Sequence, residues 1–198
     1  MAQEAAGDRQ YERLAYARAI PKYLKAADRG KGDADLYTRL GLSYQATGNT
    51  MEAEKWFAKA LQTSGVADSV WYQYGRTMMS NGKWEAAVVP LQEFLNRKPG
   101  NVLGRRALNA AQNYEQFMQD SAMVRVQPVR INTSDSDWGP SFYGRQVVFA
   151  SARRASGAVF AWTGNSFLDF YASDYGGQSD LRDAERLRGR INSRLHEG

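Results

Sequence analysis

The side chains that most often carry out catalysis or bind metals are scarce in this sequence. Its 198 residues include no cysteine and one histidine, His196. The cysteine count excludes disulfides, thiol catalysis and cysteine-ligated metals, and a metal site built from several histidines is excluded as well. We interpret His196, close to the last residue given, as structural or incidental.

Carboxylates and glycines at turn-like positions give no better indication of an active site. Asp135, Asp137 and Asp169 could suggest a calcium loop, but the EF-hand spacing and its final glutamate are missing. Gly139 and Gly144 do not lie between a strand and a helix, as a phosphate-binding loop requires. No pair of carboxylates stands out as acid and base. We therefore predict a protein that is not an enzyme and needs no metal or cofactor.

Small residues recur at a fixed spacing in the first half of the chain. Gly41 and Gly48 recur 34 positions later as Gly75 and Gly82, and Ala53 recurs as Ala87. Thirty-four residues is the length of one tetratricopeptide repeat (TPR), a helix-turn-helix unit. The repeat signature is matched in order by Leu40, Gly41, Tyr44, Gly48, Ala53, Phe57 and Ala60, and in the next unit by Trp71, Gly75, Gly82, Ala87, Leu91 and Pro99.

These matches predict a TPR domain over residues 1–120, with repeats at 34–67 and 68–101. Residues 1–30 look like a degenerate first repeat. Its first helix, from Ala2 to Arg13, is interpreted as a solvated cap without the signature glycine.

The third predicted repeat contains residues that are typical of helix ends and kinks. Asp68 and Ser69 are expected to cap its first helix, and Pro90 to kink its second helix or shift its start. A final helix from Asn101 to Met118 is expected to cover the exposed end of the stack.

Residues 121–198 show a different pattern, which indicates short strands. An extended segment is predicted around Met123–Val129, where Pro128 favours an edge strand or a connection. A strand ending at Phe142 precedes a tight turn at Tyr143–Arg145. Further strands are predicted at Gln146–Ala150, Phe167–Ala172 and Leu187–Ile191. The fold class is therefore α+β: an N-terminal α-solenoid of about three TPRs with a capping helix, then a small antiparallel sheet.

The strand-rich part resembles a known type of repeat. Residues 136–153 resemble the opening blade of WD-repeat-like, TolB-type β-propellers, which reads Pro-x-Phe, a glycine turn and an apolar strand. Residues 162–174 resemble the following strand, and Leu195–Gly198 resembles the connection to a second blade. The resemblance implies the first blade of an incomplete propeller. Trp138 and Trp162 would lie in the blade core or, alternatively, form an exposed docking surface.

TPRs followed directly by such a propeller are similar to the OmpA-family envelope proteins of Bacteroidetes, which include the PorE-like component of type IX secretion and gliding. The resemblance implies a periplasmic, outer-membrane-associated scaffold whose partners are secretion or envelope proteins. Peptidoglycan would be bound only through a C-terminal domain missing from this chain. We accordingly expect the chain to be the N-terminal portion of a longer protein.

The first helix of each pair lines a concave groove in TPR stacks, and the register predicts a protein-binding surface there. It comprises Gln45, Tyr72, Arg76, Met79, Arg106, Asn113 and Tyr114. Tyrosine and arginine anchor peptides through stacking and forked hydrogen bonds. Alternatively, these side chains contact the following β segment.

A chaperone-type carboxylate clamp is not expected in this groove. The clamp needs lysine and asparagine at positions that here hold Thr38, Leu42, Tyr72 and Arg76. A heat-shock co-chaperone role is therefore disfavoured.

Charge and hydropathy narrow the remaining classes of partner. The net charge is +5, but acidic and basic residues alternate and no recognised motif accompanies them, so we do not expect nucleic-acid binding. No apolar run approaches the roughly 20 residues that cross a bilayer.

The alternative to the envelope scaffold is a stand-alone TPR adaptor that binds peptides without envelope attachment.

Overall fold

A computed structural model describes residues 2–30, 32–153, 159–177 and 181–192. The chain forms two units. The helical unit comprises Met1–Val124 and Ala161–Thr163, and the β unit comprises Arg125–Phe160 and Gly164–Gly198. His196 and the predicted connection Leu195–Gly198 lie outside the described residues.

The helical unit is built from consecutive antiparallel helix pairs. Its helices are α1 (Ala2–Glu12), α2 (Tyr16–Ala27), α3 (Ala34–Ala46), α4 (Thr50–Leu61), α5 (Ser69–Ser80), α6 (Trp84–Arg97), α7 (Val102–Gln112) and α8 (Tyr114–Met118). The predicted final helix is interrupted at Asn113, which ends α7, so α7 and the five-residue α8 replace it. Pro90 lies inside α6 without delaying its start at Trp84.

Glycines mark the places where the two helices of each pair meet. A Cβ built on Gly41 would lie 2.6 Å from the ring of Phe57, and one built on Gly75 would lie 2.6 Å from Leu91. Gly7 makes the same approach in the first pair, 2.5 Å from Tyr23. The prediction that the first helix lacks the signature glycine was therefore wrong, because Gly7 stands 34 positions before Gly41.

Repeat-equivalent side chains also form the core of the helical unit. Tyr23, Phe57 and Leu91 occupy one position of the repeat, and none of them is exposed. Ala19, Ala53 and Ala87 are fully buried one turn earlier. Because this pair of one large and one small buried residue recurs in each repeat, the helices of each repeat pack in the same way.

Turns and caps end the helices much as the sequence indicates. Gly48 and Gly82 follow α3 and α5 with φ values of 82° and 75°, a conformation that favours glycine. Asn49 caps α4 by accepting a hydrogen bond from the Glu52 amide at 3.2 Å. Asp68 precedes α5 but does not cap it; its carboxylate pairs with Lys98 at 3.3 Å.

The β unit contains a four-stranded antiparallel sheet in the order β1-β2-β3-β4. The strands are β1 (Asp137–Tyr143), β2 (Gln146–Ser151), β3 (Asp169–Tyr175) and β4 (Leu181–Arg186). The predicted strand at Leu187–Ile191 is wrong, because β4 ends before it and Arg190–Asn192 form a 3-10 turn. The register of β1 shifts between Trp138 and Ser141, and most of its side chains are exposed.

The segment before the sheet covers one face of it. Ile131 packs with Val147, Phe149, Tyr171 and Leu181 in the core of the β unit. Of the two alternatives for the extended segment around Met123–Val129, an edge strand or a connection, the structure shows a connection: Gln119–Met123 form a 3-10 helix, and the residues from Val124 to Val129 have no regular secondary structure.

Arg153 joins this covering segment to the sheet. Its guanidinium donates to the Ile131 carbonyl and to the Asp137 carboxylate, both at 2.8 Å. It also lies over the rings of Phe149 and Tyr171, at 4.9 and 4.8 Å from their centroids. Asp137, considered above as a turn carboxylate, is therefore a structural ion-pair partner at the start of β1.

Within the described residues, no helix is both long enough and apolar enough to cross a bilayer.

Candidate functional site

An open groove lies between α5 and α7, with a volume of about 750 Å³. We call it the α5–α7 groove; its lining residues are Tyr72, Arg76, Met79, Ser80, Trp84, Leu103, Arg106 and Ala107. The lining residues on α5 fall at positions i, i+4, i+7 and i+8, and those on α7 at i, i+3 and i+4, so each helix presents one face. Tyr72 and Arg106 occupy one repeat position on neighbouring first helices, 34 residues apart.

Tyr72 is held in place from two sides. Its ring lies 5.3 Å from that of buried Phe94, and the Arg76 guanidinium lies over it at 5.7 Å from the centroid. The tyrosine is therefore a fixed, partly exposed aromatic surface next to a positive charge. Such a pair suits a ligand that offers an apolar side chain beside a carboxylate.

The two groove arginines have no acidic partner, unlike several other basic residues of the helical unit. Carboxylate pairs are formed by Arg39 with Asp8 and Asp35, Lys55 with Glu52, Lys83 with Glu54, and Arg97 with Glu93. Among the described residues, no carboxylate lies within ion-pair distance of Arg76 or Arg106. Both guanidinium groups are exposed, so an anionic ligand can reach them.

Aromatic stacking forms one rim of the groove. The rings of Trp84 and Tyr114 are nearly parallel, with centroids 5.8 Å apart. The Tyr114 hydroxyl donates to the Glu85 carboxylate, and this hydrogen bond raises the pKa of Tyr114 and lowers that of Glu85. The stack holds Trp84, the wall of the groove on the α6 side, in one orientation.

Comparison with solved structures identifies the fold of the helical unit. The second TPR domain of human RPAP3, solved with the HSP70 peptide SGPTIEEVD, superposes with a TM-score of 0.51 at 22% identity, covering 56% of this chain and 92% of that one. The first TPR of Spaghetti (RPAP3), bound to the HSP90 peptide SRMEEVD, gives 0.52 at 18% identity over 58% and 91% of the two chains. The Sgt2 TPR domain of Aspergillus fumigatus gives 0.51 at 14% identity over 67% and 89%.

The helical unit has the TPR fold. The 34-residue spacing is thereby explained, and the TPR prediction is confirmed. No family model and no curated protein sequence matches the chain. The propeller blade and the OmpA family therefore stay predictions, although the β unit is a four-stranded antiparallel sheet.

The structure brings four of the seven predicted groove residues of the TPR fold together: Tyr72, Arg76, Met79 and Arg106 line the α5–α7 groove. The other three are not among its lining residues. Gln45 donates to Thr77 at 3.3 Å and joins α3 to α5, and Asn113 donates to the Asn109 carbonyl at 2.8 Å. Tyr114 supports the groove indirectly by stacking on Trp84.

Sequence reasoning missed Ser80, Trp84, Leu103 and Ala107 as lining residues. Trp84 lines the groove and also stacks on Tyr114. Leu103 lies one helical turn before Arg106 on α7 and is 59% exposed. An exposed leucine at that spacing from a groove arginine is the signal that could have identified it.

The chemistry available in this groove is that of binding. It offers two guanidinium groups, fixed aromatic rings and the apolar side chains of Met79 and Leu103. Across the part of the chain that the structure describes, no group of three or more acidic, histidine or cysteine side chains could hold a metal ion.

Proposed function

We propose that the protein is a non-catalytic interaction scaffold whose TPR unit binds an acidic peptide segment in the α5–α7 groove. The observation that carries the proposal is that two exposed arginines without a carboxylate partner, Arg76 and Arg106, line the groove together with the fixed ring of Tyr72. A carboxylate of the ligand would bind the guanidinium groups, and a neighbouring aliphatic side chain would pack against Tyr72 and Met79.

Solved structures of similar fold support the choice of ligand class. Two of them hold peptides that end in the acidic sequence EEVD. The positions that a chaperone clamp would fill with lysine and asparagine hold Thr38, Leu42, Tyr72 and Arg76 here. We therefore propose recognition of acidic and aliphatic side chains within a segment, and do not propose a terminal-carboxylate clamp.

A peptide titration tests this proposal directly. The probes are fluorescein-labelled SRMEEVD, the same peptide with an amidated C-terminus, and the analogue SRMQQVN, which has no side-chain carboxylate. We expect the first two to bind equally, because side-chain carboxylates are recognised, and SRMQQVN to bind more weakly by at least about tenfold. Binding is expected to weaken as salt is raised, since both guanidinium groups are exposed.

Arginine variants locate the site. Arg76→Ala and Arg106→Ala are each expected to weaken binding about tenfold, the loss of one charge-assisted contact. Arg105→Ala is the matched control, because Arg105 is the exposed neighbour on α7 and does not line the groove. If all three variants bind SRMEEVD like the original chain, the groove is not the binding site and the β unit becomes the surface to search.

We further propose that the scaffold works in the bacterial envelope, periplasmic and associated with the outer membrane, within type IX secretion or gliding. Support comes from the sequence resemblance described above, in which TPRs are followed directly by a blade-like β segment. Immunoblotting of fractionated source cells with an antibody to the TPR unit tests it. A band several-fold larger than 22.2 kDa in the envelope fraction is expected. A band of about that mass in the soluble cytoplasm would favour the stand-alone TPR adaptor.

A further inference from the structure

Trp162 occupies a socket in the helical unit, to which Ala161–Thr163 belong. Its indole N–H donates to the carbonyl of Ala46 at 2.9 Å, and its own carbonyl accepts from the amide of Ala17 at 3.2 Å. Its ring meets that of Tyr16 edge-on at 5.1 Å between centroids. We call the site formed by Tyr16, Ala17 and Ala46 the Trp162 socket.

The socket exists because two helix ends lie side by side. α2 and α3 are antiparallel neighbours, which places the start of α2 beside the end of α3. The first amides and last carbonyls of a helix have no partner within it. Ala17 is the second residue of α2, whose N-cap, Ala15, offers no side-chain hydrogen bond, and Ala46 is the last residue of α3. A single bound residue can therefore form hydrogen bonds with both the Ala17 amide and the Ala46 carbonyl, neither of which has a partner within its own helix.

The other junctions between repeats fill the equivalent place by different means. Thr50 and Trp84 follow Tyr16 at steps of 34 residues. At the second junction, the Asn81 side chain donates to the Thr50 carbonyl at 3.1 Å. At the third, Tyr114 stacks on Trp84. Asn81 and Tyr114 lie 31 and 30 positions beyond their partners in the sequence, whereas Trp162 lies 116 positions beyond its acceptor.

We propose that the Trp162 socket is a second peptide-binding site of the helical unit, specific for an extended segment that presents a tryptophan, and that it is filled here by the chain's own Ala161–Thr163. The indole ring gives the ring contact with Tyr16, and its N–H selects tryptophan over phenylalanine because only tryptophan can donate to Ala46. The main-chain carbonyl of the tryptophan supplies the third contact by accepting a hydrogen bond from the Ala17 amide. The site is independent of the α5–α7 groove, so neither proposal rests on the other.

Amide hydrogen exchange tests the occupancy of the socket in the full chain. Trp162→Ala is expected to speed exchange at Ala17 roughly three- to tenfold, because it removes both the indole hydrogen bond and the ring contact that hold the residue-162 carbonyl against the Ala17 amide. Trp162→Phe tests the indole N–H alone, and we expect it to leave an intermediate rate at Ala17. The matched control is Trp138→Ala, because Trp138 is 62% exposed on β1 in the other unit. Unchanged exchange at Ala17 in Trp162→Ala would overturn the proposal.

Binding in trans tests recognition. The probe is the capped peptide Phe-Ala-Trp-Thr-Gly-Asn, which is the sequence of residues 160–165. In ¹H–¹⁵N spectra of Trp162→Ala, titration to several millimolar is expected to shift the amides of Ala17 and Thr47 saturably and to restore slow exchange at Ala17. In the original chain the socket is filled and the same amides should not respond. Equal responses in the two proteins, or none in Trp162→Ala, would overturn the proposal, as would equal binding of a probe with phenylalanine in place of tryptophan.

Discussion

Replacing Arg153 with methionine should strongly destabilise the β unit. Arg153 and Asp137 form an ion pair at 2.8 Å, and both side chains are only 16% exposed. Arg153→Met keeps a long side chain over Phe149 and Tyr171, but it leaves the Asp137 carboxylate buried without its cation. It also removes the donors to Ser151 and to the Ile131 carbonyl.

The expected cost follows from the burial of the pair. Removing one partner of a buried ion pair destabilises proteins by roughly 3–5 kcal/mol. Asp137 keeps a hydrogen bond from the Thr133 amide at 2.9 Å, which moderates the loss, so we expect about 3 kcal/mol. That free energy corresponds to about a hundredfold increase in the population of the open form.

Hydrogen exchange of the β2 and β3 amides measures this change, since these strands open with the β unit. Exchange in Arg153→Met should be about a hundredfold faster. Arg145→Met is the matched control, because Arg145 lies exposed in the turn between β1 and β2. A double-mutant cycle with Asp137→Asn should give a coupling energy above about 1 kcal/mol. Additive effects, or equal exchange in Arg153→Met and Arg145→Met, would refute the reasoning.

Three further predictions follow from contacts described above. Gly41→Ala should lower the free energy of unfolding of the helical unit by about 1–2 kcal/mol in urea titrations, because the new methyl group meets the buried ring of Phe57. Burial raises the pKa of Asp137, but hydrogen bonds with Ser151 and Arg153 outweigh it and hold the pKa below its usual value. Amide hydrogen exchange of the β unit, measured at decreasing pH, should therefore show that the unit loses stability as the pH falls below about 4. This loss should be absent in Asp137→Asn. Burial raises the pKa of Tyr23, so the folded state favours the protonated hydroxyl. Thermal unfolding should therefore show that the stability of the helical unit declines as the pH rises above about 10, and the decline should be smaller in Tyr23→Phe.

The sequence predicts the helical unit well because each signature residue meets one requirement of the local backbone or of the contact between two adjacent helices. Gly41 must let a helix approach Phe57, and Gly48 must adopt a positive φ, so these residue types recur wherever the backbone repeats. The groove residues on α5 follow from the same register, since helical spacing alone places Tyr72, Arg76 and Met79 on one face.

The remaining features depend on contacts between distant residues. β4 reads Leu-Arg-Asp-Ala-Glu-Arg, which has no strand-like pattern, and it is a strand because β3 offers an edge to pair with. Trp162 lies in a segment that resembles a strand start, yet its partners are the ends of α2 and α3. No spacing within the sequence could reveal this contact.

The edge of the sheet formed by β1 has a consequence for how the protein behaves in concentrated solution. Exposed sheet edges can template pairing with other molecules and so begin aggregation. Trp138, Phe142 and Tyr143 are exposed on this edge strand and would make such pairing favourable. Pro140 supplies no N–H, and the register shifts between Trp138 and Ser141, so a strand added from another copy would find its ladder interrupted there. The irregularity in β1 thus limits self-association while its aromatic side chains stay accessible.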